Sequence, residues 1–117
     1  MRGKATRFNN IAGVYRQWGK LQLALEYFQK ALEIDEKLKD IRGKAARFNN
    51  IGGVYLQLGK LAQALEYFQK ALGIYEELKD IKGKATSLNN IACVTRTGVC
   101  RNRHLNIFKK RYRWMRN

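Results

Sequence analysis

At 117 residues, 45% hydrophobic and with no apolar run long enough to cross a bilayer, the chain is expected to be soluble and cytoplasmic, with about one domain's worth of sequence. Two cysteines, Cys93 and Cys100, are too few for a disulfide framework. The formal charge of +15 is uneven: all nine acids lie between Glu26 and Asp80, while residues 100–117 hold seven Lys and Arg and no acid, so the remainder still carries +8 and attracts anionic partners without specifying a fold.

Residues 2–40 and 42–80 are identical at 30 of 39 positions, and the opening of the same unit returns at Leu88 as LNNIACV. A fixed period of this length marks stacked units that cannot each bury an apolar face alone. In the first unit, residues 1–40, Phe8, Ile11, Tyr15 and Trp18 fall on one helical stripe and are expected to be core. Gly19 suits a tight turn, and Leu21, Ala24, Leu25, Phe28, Leu32 and Leu38 form a second stripe, which predicts a helix hairpin. Asp40 is placed to cap the next helix. The second unit, 41–80, repeats the plan through Phe48, Ile51, Tyr55 and Leu58, then Leu61, Ala64, Leu65, Phe68 and Leu72, closing at Asp80. No proline interrupts either unit.

The third unit opens faithfully over 81–99, but Thr95 stands where Tyr is expected, and its turn glycine, Gly98, comes one place early, with Val99 in the usual glycine position. Leu105, Phe108, Tyr112 and Met115 then form a heptad-like stripe, so residues 100–117 are expected to be a divergent, basic second helix that turns back and caps the stack.

The pattern Phe48-x2-Ile51-Gly52-x2-Tyr55 with Ala64-x3-Phe68, matched by Phe8, Ile11, Ala12, Tyr15, Ala24 and Phe28, resembles the tetratricopeptide repeat. The period of 40 in place of 34 and the missing closing proline are similar to the long-helix variety in G-protein-signalling adaptors and kinesin light chain. The resemblance implies an all-α, right-handed superhelical solenoid of about two and a half units, whose first helices line a concave groove that holds extended peptides. It also places Ala12 with Ala24, and Gly52 with Ala64, where two helices approach closely.

Opposite the core stripe, the first helix of each unit carries Asn9, Asn10, Gly13, Arg16 and Gln17, then Asn49, Asn50, Gly53, Leu56 and Gln57, then Asn89, Asn90, Cys93, Arg96 and Thr97. Stacking would align Asn10, Asn50 and Asn90 into a ladder of amides able to bond a peptide backbone. Gly13 and Gly53 would leave room for it, and Arg16 and Arg96 would favour an acidic or phosphorylated ligand. The competing readings are that the asparagines bond locally between helices and that the arginines are simply solvated.

A protein or peptide ligand is therefore expected, on a non-enzymatic scaffold. The alternatives are an anionic polymer or surface, RNA or acidic membrane, bound through Lys109, Lys110, Arg113 and Arg116, and self-association by end-to-end stacking. His104 is the only histidine and has no acid in its unit to orient it. Cys93, Cys100 and His104 lack metal-ligand spacing, so no catalytic group, cofactor, metal or small-molecule substrate is expected.

Overall fold

The computed structural model describes the backbone of residues 2–111 and the side chains of residues 3–96. Five helices follow one another: α1 (Arg2–Gln17), α2 (Leu21–Lys37), α3 (Ile41–Leu58), α4 (Leu61–Glu77) and α5 (Ile81–Arg111). Each packs chiefly on the next in sequence, with α3 also meeting α5, so the architecture is an all-α tetratricopeptide-like solenoid. No helix among the described residues is long and apolar enough to cross a membrane.

The turns have a common chemistry. Gly19 and Gly59 adopt left-handed φ angles of 78° and 79°, which end α1 and α3 without a Cβ penalty. The following N–H groups reach back five residues, Lys20 to the Tyr15 carbonyl at 2.8 Å and Lys60 to the Tyr55 carbonyl at 2.9 Å. Between units the left-handed position falls to Lys39 and Lys79 instead, and Asp40 and Asp80 donate back to the carbonyls of Asp35 and Tyr75. The Asp40 and Asp80 carboxylates then accept from the N–H groups of Gly43 and Gly83 at 2.9 and 3.1 Å, as the capping expectation requires.

Within each hairpin the aromatic geometry repeats. Phe8 and Tyr27 lie 5.9 Å apart and Phe48 and Tyr67 5.8 Å; Tyr15 and Tyr55 stack on the same two tyrosines at 5.6 and 5.5 Å. Ala12, Ala24, Gly52 and Ala64 are fully enclosed, and a Cβ on Gly52 would lie 2.6 Å from the Phe68 ring, so the expected close approach is present.

Three expectations are corrected. Ile11 and Trp18 are 39% and 68% exposed, although their stripe is expected to be core; Ile51, the counterpart of Ile11, is enclosed where α2 packs on α3, and Trp18 lies just past the end of α1. Leu38 and Leu58 are likewise exposed at helix ends. Finally, the turn expected at Gly98 does not form: α5 continues through it as one 31-residue helix to Arg111. Val99 occupies the position that must turn left-handed, which a β-branched residue adopts only at a cost, so helix propagation wins. Leu105 and Phe108 share this helix, while Tyr112 and Met115 lie outside the described residues.

The two interfaces between units differ in one paired feature. Asp35 of α2, 1% exposed, meets Arg47 of α3, Oδ2 to Nε 3.1 Å. The approach is off the hydrogen-bond axis, so the contact is an ion pair and not an aligned bond. One unit later the same positions hold Tyr75 and Ser87, both buried.

Candidate functional site

The polar face of α1, α3 and α5 is built by the repeat itself, since positions 40 residues apart stand on successive helices. Its asparagines divide into two kinds. The Nδ2 of Asn50 donates to the Oδ1 of Asn9 at 2.7 Å, tying α3 to α1, and Ser87 Oγ donates to the Oδ1 of Asn49 at 3.3 Å, tying α5 to α3. Asn10 and Asn89 are exposed, and Asn90 is half-buried. The bonded pair is thus diagonal, Asn9 with Asn50, and part of the amide set serves the joints between units.

Arg16, Gln17, Gly13 and Gln57 are brought together. They line an open depression of about 330 Å³ between the ends of α1 and α3. The Nε of Arg16 donates to the Oε1 of Gln57 across the unit boundary. The guanidinium lies on Gly53, where a Cβ would fall 2.7–2.9 Å from Nη2, Nη1 and Cζ. The room at Gly53 is therefore filled by Arg16, while a Cβ on Gly13 would meet nothing within 4 Å and the approach there is open. Burial pulls the Arg16 pKa below the usual guanidinium value, a mark of a partly desolvated cation. Among the described residues no carboxylate lies within ion-pair distance of it.

Arg96, the counterpart two units on, is exposed and donates from Nη2 to the Cys93 sulfur at 3.5 Å on its own helix. Leu56, the counterpart between them, joins the apolar cluster around Ala64, Phe68 and Val94. The side chains of Lys109 and Lys110, and all of Arg113 and Arg116, lie outside the described residues. Sequence reasoning missed Ser87 as a joint between helices and missed the Asp35–Arg47 pair. Both are visible when the units are compared position by position, because Asp35 and Arg47 change together to Tyr75 and Ser87.

Two family profiles, both described as tetratricopeptide repeat, match residues 5–38 and 43–98. No curated protein matches the sequence. Among solved structures, BtubC (BKLC) from P. vanneervenii is similar at 23% identity and a TM-score of 0.71, over 80% of this chain and 39% of that one. That likeness bears on the fold, and the chain spans well under half the length of that neighbour. Repeats of this kind serve in general as scaffolds for protein–protein interaction. With both complete units and the start of the third matched, the chain belongs to the tetratricopeptide repeat family.

Proposed function

We propose that the chain is a non-enzymatic adaptor that holds an extended, acidic peptide across the shared face of α1, α3 and α5. The observation that carries the reading is Arg16: a half-buried cation whose side-chain partner is the neutral amide of Gln57, opening on a depression beside Gly13. A carboxylate entering there would gain a charge-assisted bond from the free guanidinium nitrogens. Gln17, Gln57 and Asn10 offer amide donors and acceptors to the backbone of the same peptide. Amides, guanidinium and glycine backbone bind; they do not shuttle protons at neutral pH.

The test uses labelled peptides of about ten residues, enough at about 3.3 Å per residue to cross three helices packed about 10 Å apart. Fluorescence anisotropy should show an Asp/Glu-containing peptide binding about tenfold more tightly than its Asn/Gln isostere, a gap of about 1.4 kcal/mol. Arg16→Gln should erase that difference and leave the isostere unchanged. Equal binding of the two peptides by the unaltered chain would refute the proposal. Binding of a single-stranded RNA that is lost when Lys109, Lys110, Arg113 and Arg116 become alanine would move the function to the C-terminal residues.

A further inference from the structure

No Asp or Glu occurs in α1, α3 or α5, so the helices that share the polar face contribute cations to it and no carboxylate. Arg16 and Arg96 stand two units apart in sequence, but their guanidinium groups are not two helices apart in space. The Arg16 guanidinium crosses from α1 and lies on Gly53 of α3, whereas Arg96 stays on its own helix and donates from Nη2 to the Cys93 sulfur at 3.5 Å. Gly53 and Cys93 are one period of 40 apart, so they hold the same position on α3 and on α5. The two guanidinium groups are therefore separated by one helix spacing, about 8–10 Å.

That interval selects a backbone conformation. It matches or exceeds the screening length of about 8 Å at physiological ionic strength, so a single carboxylate does not serve both cations and each takes its own. In a β-strand the side chains of one face recur every two residues, about 6.6 Å, or every four, about 13 Å. In polyproline II the same face returns every three residues, about 9.3 Å, and the backbone makes no internal hydrogen bonds. Its N–H and C=O groups are thus left for the amides of Asn10, exposed, and Asn90, half-buried. Resting on the reading of this face as a groove for acidic peptides, we propose that the ligand is a polyproline II segment with two carboxylates three residues apart, one received by Arg16 and the other by Arg96.

The experiment titrates the full chain with labelled peptides of about ten residues, each with two Asp at a spacing of i+2, i+3 or i+4 in an otherwise fixed composition. Net charge is the same across the set, so only registration differs. Fluorescence anisotropy should show the i+3 peptide binding about tenfold more tightly than the other two and than its single-Asp analogue. Arg16→Gln and Arg96→Gln should each abolish the preference for i+3. Lys37→Gln, which takes the same charge from the exposed surface of α2, should keep it. An Asp-Pro-Pro-Asp peptide, in which proline fixes φ near the polyproline II value, should bind more tightly still. Far-UV circular dichroism checks that each variant keeps its helices. The proposal is overturned by equal binding at all three spacings, by a preference for i+2 or i+4, by loss of binding in the Pro-Pro peptide, or by an equal effect of Lys37→Gln. In each of those cases, an acidic peptide that still outbinds its Asn isostere leaves the acidic-peptide reading standing; if none does, both fail together.

Discussion

Adding one methyl at Gly83 tests how the third unit is seated on the second. An ideal Cβ there would lie 2.5 Å from Tyr75 Cγ and nearer still to Cδ1 and Cε1, where about 3.4–4 Å is ordinary contact. Tyr75 is buried, and the clash reaches the root of the ring, so a small tip rotation does not relieve it. Overpacking of this kind costs about 1–3 kcal/mol. Replacing glycine by alanine in a helix returns about 0.5–1 kcal/mol. Gly83→Ala should therefore destabilise by about 1–2 kcal/mol, a fall in Tm of roughly 4–8 °C for a domain of this size. Gly73→Ala is the control: α4 is open there, with nothing within 4 Å of the added methyl, so the helix term acts alone and Tm should rise. In a Tyr75→Ala background the obstruction is gone and Gly83→Ala should become stabilising, which a double-mutant cycle measures directly. Thermal unfolding followed at 222 nm decides the matter. A Gly83→Ala chain as stable as the Gly73→Ala chain would show the packing argument to be wrong.

Arg47→Ala leaves the buried Asp35 carboxylate without its ion-pair partner and should cost about 3 kcal/mol in chemical denaturation, whereas Arg7→Ala, at the exposed counterpart, should change stability by less than about 0.5 kcal/mol. Asp40→Ala removes the cap of α3 and should lower stability by about 1 kcal/mol, visible as faster amide exchange at Gly43. Burial raises the pKa of the Tyr75 hydroxyl above 10, with the Asp80 charge adding to the rise. The folded state thus holds the proton more tightly than the unfolded chain, so this contribution is intact below about pH 10 and is lost as pH climbs through the folded-state value. Tyr75→Phe should flatten that part of the alkaline unfolding curve, recorded by denaturant titration at successive pH values.

Much of the architecture was legible because the period of 40 carries its own punctuation. Gly19 and Gly59 turn the chain, Asp40 and Asp80 start helices, and the stripes through Phe28 and Phe68 pack the hairpins. What was not legible depends on neighbours. Ile11 and Ile51 are the same residue in the same local pattern, and only the presence of a preceding hairpin separates an exposed side chain from a buried one. The loss of the third turn hangs on one displaced glycine: Gly98 comes one residue early, and the cost of turning at Val99 keeps the helix going. Periodicity does not reveal stagger: that Asn50 reaches Asn9 and that Arg16 lies on Gly53 follow from how far one helix slides along the next.

Two nearly identical hairpins in one polypeptide invite mis-threading, in which α2 skips its neighbour and settles on α5 while α4 is stranded or captured by another molecule's α3. The alternation of Asp35–Arg47 with Tyr75–Ser87 works against both errors. Skipping would bury the aspartate opposite a serine, and capture would set a tyrosine ring against an arginine that expects an anion. The joints are thus keyed differently although the bricks are alike, and exchanging Asp35 with Tyr75 while Arg47 and Ser87 stay in place should scramble the order of assembly before it disturbs any single hairpin.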